Sequence, residues 1–237
     1  MTGGLVTATD PAGIRFEKIE KRYGGLFALR RVSLNVAAGE CVALAGRNGS
    51  GKTTLLRVAA GLVRPSSGEV QFVLNGLPSR EAKPRMGFVA HATMVYDELT
   101  AEENLVLFAR LQEIAAPAGL VERLLGDVGL IERRGSLVRT FSRGMRQRVA
   151  IARALLRQPD ILLLDEPATG LDPEGVAWLA ETLRRLREGG CTLLMSLHGE
   201  SAISALATRA VRLDAGSIVA DTQQGADLHS ILEFAGG

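Results

Sequence analysis

The chain has 237 residues, 46% hydrophobic and 23% charged, enough for one large domain or two small ones with a full apolar core. Its 28 basic and 26 acidic residues leave a net charge of only +2, which argues against a protein that lives on a nucleic-acid backbone. No run of about 18 apolar residues is present to cross a bilayer, and the opening MTGGLVTATDPAG has neither the basic nor the apolar part of a secretory signal.

IRFEKI from Ile14 and VSLNV from Val32 alternate apolar and polar residues, which predicts half-buried antiparallel strands. CVALAG from Cys41 is continuously apolar, as a strand buried on both faces is. A glycine-rich turn and the helix KTTLLRVAAGL follow. GEVQFVLNG alternates again and ends in the turn pair Asn75-Gly76, and RMGFVA is a further short strand.

From Leu99 to about Arg157 the strand signals stop. Thr100 stands three residues before Glu103, a capping box, and LVERLLGDVGL continues the helical texture. In TFSRGMRQRVAIARAL, Arg143, Arg146, Arg153 and Arg157 share one helix face, which reads as mostly solvated surface. Met145, Val149, Ala152 and Leu156 share the opposite, core-packing face. Gln158-Pro159 stops this helix.

DILLLDEP is another buried strand. Pro173 to Glu188 is a helix opened by Asp172 and closed by Gly189-Gly190. CTLLMSL is again a buried strand, AVRLDAGSIVA a hairpin and GADLHSILEFAGG a short tail. Cys41 and Cys191 lie in apolar runs without metal-ligand spacing and read as buried thiols. Buried strands alternating with helices predict an α/β domain with a largely parallel sheet.

The chemistry concentrates in three places. GRNGSGKT, Gly46 to Thr53, fits G-x-x-x-x-G-K-[ST] between a buried strand and a helix. Backbone N–H groups of Asn48, Gly49, Ser50, Gly51, Lys52 and Thr53 can wrap a triphosphate at a helix N-terminus, with Arg47 at the loop's edge. Lys52 would reach the β and γ oxygens, Thr53 would ligate Mg²⁺, and Thr54 would touch the α-phosphate. Asp165 and Glu166 end a buried strand, where open α/β sheets bind ligands. Asp165 suits Mg²⁺, and Glu166 suits a general base on the attacking water. His198 ends the next strand and can donate to the γ-phosphate.

With these residues in this order, the chain resembles the ATPase subunit of ABC transporters from about Ile14 to Ala220. GRNGSGKT looks like Walker A, ILLLDE like Walker B, FSRGM like the signature, and TGLD from Thr169 like the D-loop. His198 matches the switch histidine, and Tyr23 the aromatic that stacks on adenine. The resemblance implies a P-loop NTPase (RecA-like) core with a mainly parallel sheet, an N-terminal antiparallel β part, and a helical insertion carrying the signature. It implies one ABC ATPase domain: residues 14–90 and 158–222 as core, 91–157 as helical subdomain, 223–237 as tail.

It further implies ATP and Mg²⁺ as ligands, and ATP held between Lys52 of one chain and Ser142 and Gly144 of the other in a homodimer or heterodimer. Integral membrane subunits would be separate chains, nucleic acid would not be a partner, and the location would be cytoplasmic, peripheral on the inner face of the cell membrane. Three positions depart from the family. His91, expected at the metal, stands where glutamine usually touches Mg²⁺, and in the signature Arg143 stands for glycine and Met145 for glutamine. FSRGM together with LTAEENL is similar to the haem-exporter, cytochrome-c-biogenesis branch. The alternatives are an exporter ATPase for a drug or lipid, and a soluble non-transport ABC ATPase.

Overall fold

The computed structural model describes residues 12–74, 77–79, 84–197 and 202–233. The Asn75-Gly76 turn, His198, the N-terminal lead-in and the last residues of the tail lie outside the described residues.

Strands β1 (Ala12–Tyr23), β2 (Leu26–Val36), β4 (Ser67–Leu74) and β5 (Leu77–Ser79) form an antiparallel sheet in the order β2-β1-β4-β5. β1 runs past the alternating stretch that the sequence marks. Lys18 adopts φ 47, the register shifts between Phe16 and Ile19, and the break in period two hides the strand's second half.

Strands β3 (Cys41–Ala45), β6 (Met86–Val89), β7 (Ile161–Asp165), β8 (Thr192–Ser196), β9 (Arg209–Asp214) and β10 (Ser217–Asp221) form the second sheet, in the order β10-β9-β3-β8-β7-β6. All its pairings are parallel except the β9–β10 hairpin. Each central strand divides its side chains between two cores. Cys41, Ala43, Leu162, Leu164, Leu193 and Met195 face the helices. Val42, Leu44, Ile161, Leu163 and Leu194 face Leu55 and Leu56 of α1 (Lys52–Ala59) and the inner face of the antiparallel sheet. Two buried faces explain why these strands read as unbroken apolar runs; each such leucine contributes ~1.5–3 kcal/mol.

The helical part comprises α2 (Ala101–Leu111), α3 (Ala118–Asp127) and α4 (Arg143–Leu155). Thr100 caps α2 in the predicted capping box, accepting from Glu103 N at 3.1 Å while Thr100 N donates to Glu103 Oε2 at 2.8 Å. α5 (Pro173–Glu188) is capped by Asp172, and α6 (Leu228–Glu233) closes the described chain.

The arginine face of α4 is not the solvated surface that the sequence suggests. Arg146 Nη2 donates to Arg139 O at 3.0 Å and Arg146 Nη1 pairs with Asp97 at 3.3 Å. Arg153 Nη1 donates to Met94 O at 2.5 Å. The chain between β6 and α2 folds across this face, so α4 is covered on both sides and only Arg143 and Arg157 remain exposed. Cys41 and Cys191 are buried free thiols, as expected, and burial pushes each up to about 12.

Candidate functional site

The site grows from the C-terminal ends of three neighbouring strands. β3 ends at Ala45 and releases the loop Gly46–Gly51, which takes positive φ at Gly46, Gly49 and Gly51 (137, 79 and 111°). At Gly51 the conformation is compulsory: a β-carbon there would stand 2.7 Å from Ala28 O. Gly51 caps α1 with no side-chain hydrogen bond, so the first N–H groups of the helix stay available to an anion. The β9–β10 turn braces the loop from behind, with Gly216 N donating to Ser50 O at 3.0 Å and Arg30 N to Gly216 O at 2.8 Å.

Arg47, Asn48 and Gly49 form the exposed crest of the loop, Ser50 is buried beneath them, and Thr53 and Thr54 sit half-buried on the first turn of α1. Lys52 is buried, and its Nζ donates to Gly46 O and, at 3.2 Å, to Arg47 O. Burial lowers its pKa, while the charges of Glu166 and Asp165 work the other way. The lysine is thus folded onto its own loop, within the field of both carboxylates.

β7 delivers Asp165 to this point. Thr53 Oγ1 donates to Asp165 Oδ1 at 3.0 Å, and Ser196 Oγ from the end of β8 donates to the same oxygen at 2.8 Å. Asp165 Oδ2 is buried with no hydrogen-bond partner among the described residues, and so is Ser50 Oγ. A buried carboxylate oxygen left unbonded beside a threonine hydroxyl suits a hard cation with a preference for oxygen ligands. Mg²⁺ fits this donor set, with Thr53 and Asp165 as the side chains that would hold it.

Glu166 follows in the left-handed region, at φ 52. Ser196 holds it there, accepting from Glu166 N at its Oγ (2.9 Å) and at its carbonyl (3.3 Å). His91, from the loop after β6, places Nδ1 3.3 Å from Glu166 Oε2. His91, expected at the metal, has the carboxylate of Glu166 as its described partner.

Ser142 caps α4, its Oγ accepting from Met145 N at 3.2 Å. Ser142 and Gly144 line a separate cavity of about 390 Å³ with Gly129, Arg133, Arg148 and Asp172, and no residue of the Gly46–Thr54 stretch lines it. Ser142 and the phosphate loop therefore lie at two separate places on the chain. The side chain of Arg143 lies along Gly170 rather than beside the phosphate loop. Tyr23 stands half-exposed at the end of β1, its ring carrying the Lys21 ammonium at 4.9 Å.

Two functional side chains escaped the sequence reading. Ser196, the buried hydroxyl in an apolar strand, joins Asp165 to Glu166. Gln147, on the core side of α4, donates to Pro167 O at 3.0 Å and ties α4 to the turn after Glu166. In both cases a polar residue at a core position was the available signal.

Residues 29–169 match the family model for the ABC transporter. The Nod factor export ATP-binding protein I of Burkholderia orbicola (strain AU 1054) is 37% identical over 214 residues, spanning 89% of this chain and 70% of that protein. The daunorubicin resistance ATP-binding protein DrrA3 of Streptomyces coeruleorubidus is 37% identical over 213 residues, spanning 88% and 67%. Among solved structures, the ATP binding subunit of an ABC transporter matches with a TM-score of 0.78 and 29% identity, covering 92% of this chain and 97% of that one. A dimeric ATP-binding cassette in a post-hydrolysis state, bound to ADP and Pi, matches with a TM-score of 0.77 and 25% identity, covering 88% and 97%.

Proposed function

The chain belongs to the ABC transporter family of ATP-binding subunits, ATPases coupled to transport, and from that premise we propose how its own residues divide the work. ATP is the substrate, with its triphosphate on the backbone N–H groups of the 48–53 loop and helix start and its adenine against Tyr23. Lys52 exchanges the carbonyls of Gly46 and Arg47 for phosphate oxygens, and Thr54 supports the α-phosphate. Thr53 and Asp165 hold Mg²⁺, which when bound neutralises charge on the phosphates. Glu166 takes the proton of the attacking water, and His198 donates to the γ-phosphate.

The observation that carries this reading is the meeting of three strand ends: Thr53 and Ser196 share one oxygen of Asp165, the other oxygen is unbonded, and Glu166 is held beside them.

The separation of Ser142 from the phosphate loop supports a head-to-tail pair, homodimer or heterodimer, in which Ser142 and Gly144 of one subunit complete the site of the other. ATP then favours the closed pair because that state offers it more contacts. Membership of the family supports separate membrane subunits and a peripheral place on the cytoplasmic face; among the described residues no helix is long and apolar enough to cross a membrane. The relatives' names favour export of an organic solute. Haem export for cytochrome c maturation rests on FSRGM and LTAEENL alone.

The test is Glu166→Gln. The variant binds ATP, stalls turnover and elutes as an ATP-dependent dimer on gel filtration. Hydrolysis at the wild-type rate would remove Glu166 from the mechanism.

A further inference from the structure

Arg153 sits on the eleventh residue of α4, about 15 Å along the helix axis from its start. Its guanidinium spans the loop that carries His91. Nη1 donates to Met94 O at 2.5 Å on one side of His91, and Nη2 to Phe88 O at 3.4 Å on the other. Phe88 lies in β6, paired with Leu163 of β7, the strand that ends in Asp165. Met94 is a non-glycine residue at φ 50, a conformation that needs outside support.

The same guanidinium lies 5.0 Å from the ring of Phe108 on α2, which stacks on Tyr96 at 5.9 Å. Beyond Met94 the loop is held by the buried side chain of Asn104, which accepts from Tyr96 N at 2.8 Å and donates to Tyr96 O at 2.9 Å. His91 is therefore carried on a short span whose downstream end is stapled by Asn104, and whose two shoulders are both gripped by one side chain of the signature helix.

We propose that Arg153 is a positioning residue: its two-carbonyl clamp fixes the loop 88–94 to α4 and thereby sets the contact between His91 and Glu166. Through this clamp, a displacement of α4 at its Ser142 end is transmitted to the carboxylate that works on water. The planar fork is suited to the task because one rigid group bonds two carbonyls at once, which an ammonium on a flexible stem does not. The proposal rests on the reading of Glu166 as the base.

The test compares the full-length wild type, Arg153→Met, His91→Ala, the double variant, Arg153→Lys and Glu166→Gln. Hydrolysis gives kcat and KM, and titration with trinitrophenyl-ATP gives nucleotide affinity. Arg153→Met lowers kcat on the order of tenfold, the scale of one lost charged hydrogen bond. KM and trinitrophenyl-ATP affinity stay within about twofold, because the phosphate loop is untouched. The double variant is no slower than His91→Ala alone, since both changes act through one contact.

Arg153→Lys shows a smaller loss of kcat with the same unchanged affinity, and it carries the test if the methionine variant does not fold. Wild-type kcat in Arg153→Lys, or losses that multiply in the double variant, overturns the clamp. An inactive Glu166→Gln beside a fully active Arg153→Met refutes this inference alone. An active Glu166→Gln refutes the reading beneath it.

Discussion

Arg143 lies along Gly170, with its Cδ 2.7 Å from the place where a β-carbon on Gly170 would stand. Arg143 makes no hydrogen bond or ion pair among the described residues, so its aliphatic stem is what holds it there. The contact joins the first residue of α4 to the turn between Glu166 and α5, and Gly170 meets it at φ 84, a conformation open to glycine.

The contact predicts a non-additive pair. Gly170→Ala costs about 1–2 kcal/mol in strain at positive φ, with a steric cost against Arg143 added. Arg143→Ala removes the steric part, so the double variant is more stable than the sum of the single changes implies. Urea unfolding of the four proteins measures the interaction. Strict additivity would show that the exposed Arg143 side chain yields to a β-carbon on Gly170 without measurable cost, so that the contact carries no energy.

A second prediction concerns the unbonded oxygen of Asp165. Asp165→Asn keeps an acceptor for Thr53 and Ser196 but turns an amide toward the position of Oδ2. The fold survives, while Mg²⁺-dependent hydrolysis falls by ~100-fold or more, as with other losses of transition-state charge stabilisation. Calorimetric titration with ATP, with and without Mg²⁺, separates the two effects. If Mg²⁺ still strengthens binding as in the wild type, Asp165 is not its ligand.

Much of this site is legible in sequence because each of its parts is a short consecutive run. Gly46 to Thr53 carries both its loop and its helix start, and Asp165-Glu166 is marked by the apolar strand before it. What joins the runs is not local. Ser196 bonds residues about thirty positions away, and Arg153 bonds carbonyls about sixty positions away. A backbone carbonyl leaves no trace in a residue pattern. The periodicity of α4 separates two faces correctly but says nothing of which neighbours cover them, so an arginine face bonded to a crossing loop looks the same as a solvated one. The β1 boundary failed for a different reason, since a bulge at Lys18 breaks the alternation that would have announced the rest of the strand.

The third prediction lies away from the nucleotide. Arg209 and Asp221 are both buried and paired at 2.6 and 2.8 Å, with Arg209 also donating to Asn35 O at 2.8 Å. The Arg209 hydrogen bonds hold the Asp221 carboxyl below its ordinary range, against the opposing effect of burial. A depressed carboxylate pKa contributes stability that is present above the unfolded value, ~3.9, and is lost as pH falls through the folded value. Asp221→Asn leaves the buried guanidinium with only Glu40, at the longer distance of 3.5 Å, as a counter-ion and costs up to about 3 kcal/mol near neutral pH. The gap between wild type and variant in chemical denaturation then narrows below about pH 4. A gap of constant size from neutral to acid pH would show that the ionised carboxylate is not what stabilises the pair.

The last prediction separates what Lys52 does for the protein from what it does for the ligand. Its ammonium is buried on the carbonyls of Gly46 and Arg47, and burial lowers its pKa, so holding this charge there has a cost. Lys52→Ala removes both that cost and the hydrogen bonds that offset it, and nucleotide-free stability changes by less than about 1 kcal/mol. Stabilisation by ATP is another matter. A ligand that binds only the folded state adds RT ln(1 + [L]/Kd), about 2.7 kcal/mol at a hundredfold excess over Kd. In Lys52→Ala that increment disappears, because the β and γ oxygens lose their cation while the N–H groups of α1 remain. Thermal melts with and without Mg²⁺ and ATP read both quantities from one sample. A variant that melts as the wild type without nucleotide and still gains the full shift with ATP would take Lys52 out of the binding site. One that melts far lower without nucleotide would make it a structural lysine instead.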